Sequence, residues 1–359
     1  MNYRLQMFTI RLISLILVVA FISSCKKEQV QPVDSNTQKL ANCLLILNEG
    51  LFQQNNASVS KIDLSSGLIN SSFFEDKTGR PLGDTGNDIK MYQGKIFIVT
   101  NVSSTLEILD ATTGASIKQI SMVSNGIPKQ PRYITFQGNK GYISCFDGYV
   151  DVLDLSSLTI SKRIKVGENP EQLAVSNNKL YVANSGGLNF PNLDSTVSVI
   201  SLNAELEICK ITVGKNPGSL LVDGQGDVYV VSRGDFGSNP SRLHRISSIS
   251  DTKEQTFSFE ADRICLMNDQ LLVSYLSVGI TKILKLNVLN ESVVSTDCLD
   301  LTQVQTFYGF QFEPLQNKLY CFDAQGYVNT GKIHEFDSNG NYLTNHTVGL
   351  IPNQLLYYE

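Results

Sequence analysis

The sequence predicts an all-β fold: a seven-bladed β-propeller with four-stranded antiparallel blades. Three observations predict it. Seven short runs recur, NDIKMY (87–92), PRYITF (131–136), PEQLAV (170–175), PGSLLV (217–222), ADRICL (261–266), YGFQF (308–312) and PNQLLYY (352–358). Aligned on Asp88, Arg132, Glu171, Gly218, Asp262, Gly309 and Asn353, they stand 44, 39, 47, 44, 47 and 44 residues apart. A period of this size, built from short alternating strands, marks radial repetition. Each run is followed by further period-2 apolar runs bounded by Gly, Asn, Asp or Pro. Finally, the first repeat lacks its opening strand and the chain ends with a surplus one. The C-terminal strand is therefore expected to complete the first blade, closing the ring and hiding two sheet edges.

The elements follow in order. Residues 1–24 read as a signal peptide. Arg4 and Arg11 give a basic start, and Leu12 to Ile22 is an apolar run too short to span a bilayer. Ile22-Ser23-Ser24-Cys25 resembles a bacterial lipobox, which implies cleavage before Cys25 and its acylation. Residues 25–42 are a lipidated tether, polar and containing Pro32, with no hydrophobic period. Residues 43–359 are the propeller. The net charge of -5 and the lack of a basic run argue against wrapping nucleic acid. The absence of Trp excludes the Trp-Asp repeat pattern. Beyond Cys25 there are Cys43, Cys145, Cys209, Cys265, Cys298 and Cys321. No two fall at facing positions of adjacent strands, so they read as buried free thiols. A closed ring of this kind is expected to be a monomer.

The fourth repeat is the template for a blade. Strand A is predicted over Gln172 to Val175, B over Leu180 to Asn184, C over Thr196 to Ser201 and D over Leu206 to Val213. In the first blade, B is Leu44 to Asn48, C is Val59 to Leu64 and D lies near Leu68 to Phe74. The C–D turns repeat one chemistry, with Asp63, Asp110, Asp154 and Asp337 each opening a turn. The short Asp side chain caps its own turn, and a following Gly accepts positive φ.

Strand direction alternates within a blade, so B–C and D–A loops share one face. Those loops are the long and varied ones: 49–58, 122–130, 185–195, 233–242 and 323–332. Irregular loops on one face of a rigid scaffold are where binding residues usually sit. The B-strand ends there supply Asn48, Asn184, Tyr275 and Asp323. The next positions supply Glu49, Asn101, Phe146 and Arg233. The strand A entrances supply Arg132, Tyr133, Gln172, Arg263, Tyr308 and Asn353. Loop tips add Phe52, Tyr149, Phe190, Phe236 and Tyr327. Aromatic surface, amides and a few Arg suit a large, partly apolar ligand that bears amides or a phosphate.

Catalytic signals are weak, and neither a metal nor a cofactor is expected. His244, His334 and His346 are the three histidines. The first two fall at equivalent points of strand C in different blades, too far apart for a metal site. Asp194 with Asp235 is an unspecific carboxylate pair.

The core "Asn-Pro … Leu-Ala-Val … Leu-Tyr-Val-Ala-Asn … Val-Ser-Val-Ile … Ile-Thr-Val-Gly-Lys-Asn-Pro" (169–217) resembles the YncE-like seven-bladed propellers. With drift, the resemblance runs over residues 44–359. Leu47-Asn48-Glu49-Gly50, Asn101 and Cys25 together resemble the propeller lipoproteins of Bacteroidetes, among them the BtuG-like surface proteins. That resemblance implies an outer-membrane lipoprotein, displayed at the cell surface. It would capture cobalamin or another corrinoid for a TonB-dependent transporter. Lys26-Lys27-Glu28 follows the cysteine with a single acid, where surface lipoproteins of that kind often carry several. The alternatives are a protein-interaction scaffold of the envelope, or a lyase or hydrolase acting on polysaccharide.

Overall fold

The computed structural model describes residues 39–359. The predicted signal peptide, Cys25 and the tether as far as residue 38 lie outside the described residues. Seven four-stranded antiparallel sheets form the blades. Blade 2 shows the pattern, with strand A at Gly86–Tyr92, B at Lys95–Thr100, C at Thr105–Asp110 and D at Ser116–Ser121. Blades 3 to 7 begin their A strands at Pro131, Pro170, Pro217, Ile264 and Phe307. Among the described residues no helix is long and apolar enough to cross a membrane.

Closure is as the repeat predicts. The C-terminal strand Pro352–Tyr358 pairs antiparallel with Cys43–Asn48, which pairs in turn with Ser58–Asp63. The strand Cys43–Asn48 is buried at every residue. Its pleat explains why it reads as an unbroken apolar run. Cys43, Leu45 and Leu47 pack toward blade 2, with Ile89, Ile96 and Ile98. Leu44 and Ile46 pack toward blade 7, with Tyr320, Phe322 and Ile333. Seven such apolar clusters fill the seven interfaces between blades. A B strand buried on both faces therefore carries apolar residues at both parities.

The C–D turns carry the predicted chemistry. The Oδ1 atoms of Asp63, Asp110, Asp154 and Asp337 accept the N–H groups of Ser66, Thr113, Ser157 and Asn341 at 2.8–2.9 Å. Hydrogen bonds from the same four residues hold the carboxyls below the usual range. All six described cysteines are free thiols.

One predicted element differs. The outer strand of blade 1 is only Ile69–Asn70, and Phe73 and Phe74 open a short helix, α1 (Phe73–Thr78), ending at Gly79 in the left-handed conformation. Both phenylalanines are buried against blade 2. Adjacent bulky residues cannot both face one side of a strand, but a helical turn can bury both. Just beyond, Arg80 makes a bidentate pair (2.7 and 2.6 Å) with Glu107, whose side chain is fully buried.

Candidate functional site

Strand A of each blade lines the central axis, and in four blades its inner edge is capped by a side chain of the preceding blade. Ile89 N–H donates to Gln354 Oε1, Ile134 N–H to Asp88 Oδ2, Leu220 N–H to Gln172 Oε1 and Leu355 N–H to Gln311 Oε1. These bonds satisfy backbone donors that no further strand reaches.

On the long-loop face the axis opens into a cavity of about 560 Å3. Eight of the predicted residues line it: Glu49, Arg132, Tyr133, Gln172, Arg233, Arg263, Tyr308 and Asn353. Lys90, Asn87, Ser219, Gln311 and Gln354 join them without having been singled out in the sequence. The repeat offered a signal for two of these. Ser219 and Gln354 share their column with Tyr133, whereas Asn87 stands one residue before the aligned Asp88.

The arginines are held by their neighbours. Arg132 Nε lies 3.0 Å from Glu171 Oε2, and Arg233 Nη1 lies 3.6 Å from Glu171 Oε1. The Arg132 guanidinium covers the Phe146 ring at 4.7 Å and the Tyr133 ring at 5.6 Å. Burial opposes the Arg132 charge, but Glu171 outweighs it, so the group holds its proton more tightly than usual. Arg263 stands 5.7 Å over Tyr308. Its Nε is buried without a hydrogen-bond partner, and Asp262 is 4.0 Å away. From the neighbouring blade 7, Tyr308 donates its hydroxyl proton to Glu49 Oε2. Burial raises the Glu49 carboxyl above its usual range, against the pull of Tyr308, Arg132 and Arg263. Asn353 donates to Gly86 O at 2.8 Å and leaves its own Oδ1 buried and unpartnered.

The other predicted residues lie elsewhere. The B-strand ends turn into the blades. Asn48 Nδ2 donates to Ser58 and Ser60 Oγ at 3.1 and 3.0 Å. Asn184 Nδ2 donates to Thr196 Oγ1 and Ser198 Oγ at 3.0 and 2.9 Å. Asp323 accepts from the N–H groups of Gln305, Thr306 and Gln325, and meets His334 Nε2 at 3.2 Å. The Tyr275 hydroxyl donates to Thr296 O at 2.8 Å, toward the outer strand. Asn101 bridges to Pro131 O of the next blade at 3.2 Å. Tyr149 lies beneath Arg163 at 4.2 Å. Phe146 serves the cavity indirectly, as the platform for Arg132. Phe52, Phe190, Phe236 and Tyr327 are exposed on their loops, and Tyr327 meets Tyr308 edge-on at 6.0 Å. Asp194 and Asp235 cap their own loops, through Thr196 N–H at 2.9 Å and Asn239 N–H at 2.8 Å.

Fold and cavity define a seven-bladed propeller with a cation-rich axial mouth. The chain belongs to the family described as "Domain of unknown function (DUF5074)", whose model matches residues 42–349. A search of the curated proteins returns no match. Among solved structures, the chain is similar to a quinonprotein alcohol dehydrogenase-like protein from Bacteroides thetaiotaomicron VPI-5482. The identity is 15%, the TM-score 0.67, and the match covers 90% of this chain and 80% of that one. It is also similar to Kuenenia stuttgartiensis hydrazine synthase, at 15% identity and TM-score 0.62, over 74% of this chain and 87% of that one. The computationally designed Ika8 protein matches at 12% identity and TM-score 0.55, over 86% and 89%. At these identities the likeness is one of fold.

Proposed function

We propose that this chain is a non-enzymatic ligand-binding protein of the cell envelope that captures a small molecule at the axial mouth. One observation carries the reading: four cationic side chains, Lys90, Arg132, Arg233 and Arg263, converge with amides and tyrosines on a cavity of about 560 Å3. Such a site is concave, largely preformed and mixed in chemistry, as ligand sites are. The corrinoids are the specific candidate. Their amides and phosphate match the wall, with the bulk of the molecule resting on the rim loops. The lipobox-like segment at Cys25 and the resemblance to propeller lipoproteins support an outer-membrane anchor and delivery to a TonB-dependent transporter.

Equilibrium titration with cobalamin tests this. Micromolar or tighter binding is expected, and no binding in that range removes the corrinoid. Arg132→Ala, Arg233→Ala and Arg263→Ala should each weaken binding about tenfold or more, as lost charge-assisted hydrogen bonds do. Binding that survives all three substitutions places the site elsewhere.

A second reading, an envelope scaffold that binds a protein, is favoured by one feature. Among the described residues every exposed Phe and Tyr (Phe52, Phe190, Phe236, Tyr327) lies on a B–C loop of the same face. Aromatic anchors of this kind are typical of protein interfaces. Loss of a co-purifying protein on changing Phe52 and Phe236 to Ser, with small-molecule binding intact, would select it.

A further inference from the structure

The cavity wall separates its charges unevenly. Glu171 is set back between Arg132 and Arg233, already engaged with both. Asp88 is set back too, accepting from Ile134 N–H at 2.8 Å and lying 3.6 Å from Lys90. The one carboxylate on the wall itself is Glu49. It is pinned in place by the ring closure, because Glu49 N–H donates to Ile351 O at 2.8 Å and Glu49 O accepts from Gly86 N–H at 3.0 Å. On the far side of Tyr308, Arg263 keeps a buried Nε with no acceptor. The nearest anion to that guanidinium, Asp262, is largely exposed and only at the edge of ion-pair distance.

We infer, on the reading that the mouth is a ligand site, that it takes an oxyanion (a carboxylate, phosphate ester or sulfate of the ligand) between Arg263 and Arg132, and that the anion enters together with a proton on Glu49. The chemistry is direct. An anion at the mouth supplies the acceptor that Arg263 Nε lacks. It also stands near an ionised Glu49, and two like charges so close in a partly desolvated site repel strongly. A proton on Glu49 removes the repulsion. The protonated carboxyl can also turn its O–H toward the anion, while Tyr308 keeps its hydrogen bond to the other oxygen. The charged and titratable groups acting on Glu49 come from four blades: Tyr308 from blade 7, Arg263 from blade 6, Arg132 from blade 3 and Glu171 from blade 4. Arg233 of blade 5 joins the same cluster beside Tyr133. Glu49 is the wall carboxyl that an incoming anion would meet, and burial already makes it harder to ionise than an ordinary carboxyl. Burial of its carboxyl acts in the required direction.

Sulfate is a suitable probe, because it does not titrate near neutrality. Calorimetric titration of the full chain should show sulfate affinity weakening as pH rises, by up to tenfold per unit, the limit for one linked proton. Up to one proton should be taken up per sulfate bound where the affinity falls most steeply with pH, measured on the unmodified protein with two buffers of different ionisation enthalpy. Glu49→Gln should bind sulfate without a pH slope, at least as tightly as the unmodified protein at low pH. Benzoate and phenyl phosphate, compared in the same way, rank carboxylate against phosphate ester. A flat pH profile with no proton uptake, or an unchanged slope in Glu49→Gln, overturns the coupling. Cobalamin binding without binding of any oxyanion probe overturns this inference and leaves the ligand site standing. Failure of all the probes and of cobalamin overturns both.

Discussion

Gly218 makes room for Arg233. A Cβ built on Gly218 would lie 2.6 Å from Arg233 Cζ and 2.6 Å from its Nη2. By strand register rather than by the sequence alignment, the column of Gly218 holds Asn87, Arg132, Glu171, Asp262, Tyr308 and Asn353 in the other blades. In blade 5 the side chain of that column is missing, and the guanidinium from the end of strand B fills the gap and reaches Glu171.

Gly218→Ala should therefore displace Arg233 without harming the fold. The methyl meets the end of a flexible side chain rather than backbone, and losing a glycine restricts the unfolded chain. We expect an unfolding free energy within about 1 kcal/mol of the parent's and ligand affinity weakened several-fold. An equal loss of stability and binding would contradict this.

Closure should be the weakest point of the ring to truncation. Leu355 is buried against Leu44, Ile46, Tyr320 and Ile333. Leu355→Ala should cost roughly 2–5 kcal/mol in urea denaturation. Removing residues 352–359 should yield aggregated protein by size-exclusion chromatography, since the apolar strand over residues 43–47 would then present a bare edge.

His244 should make the fold acid-sensitive. Its ring sits between Ser232 Oγ (2.8 Å) and Thr256 Oγ1 (3.0 Å), and burial pushes it down from 6.5 to about 4. The unfolded chain therefore binds the proton first. His244 contributes stability that is complete above its unfolded value and is lost as pH falls from about 6.5 to about 4, at most about 3 kcal/mol. His244→Gln should flatten that part of the pH–stability profile. An unchanged acid limb would show that other groups govern it.

Arg80 should be worth more as a partner than as a charge. Arg80→Ala leaves the fully buried Glu107 carboxylate with Gln119 as its remaining side-chain donor. The expected cost is about 3 kcal/mol, and pairing Arg80→Met with Glu107→Met should recover most of it. Failure of the double variant to recover stability would mean that the pair contributes net attraction.

The blades were legible because each repeats the same burial problem at a fixed spacing. The closure was legible because a surplus strand has one place to go. Blade 1's outer strand was not, since Phe73 and Phe74 fit an apolar strand end as well as a first helical turn. Within the site, the pleat decided. Asn48 and Glu49 are neighbours, and so are Ser232 and Arg233, yet in each pair only the second reaches the cavity. The sequence columns named Asn48 alongside Glu49. Gly218 could not be read as part of the site, because its contribution is the absence of a side chain. Lys90 was hidden by lying two residues beyond the aligned Asp88, inside an ordinary strand.

The shared first blade also has a mechanical consequence. Cys43–Asn48 is held by six register pairs on each side, from Ser58–Asp63 and from the chain's last strand. Force applied to the chain ahead of Cys43 runs along that strand, perpendicular to the hydrogen bonds of both ladders. The bonds are loaded together in shear rather than opened one after another. A body pulled from that end would hold its shape up to the strength of both ladders at once. It would then fail by losing the strand that also positions Glu49, so the mouth would be dismantled with the ring.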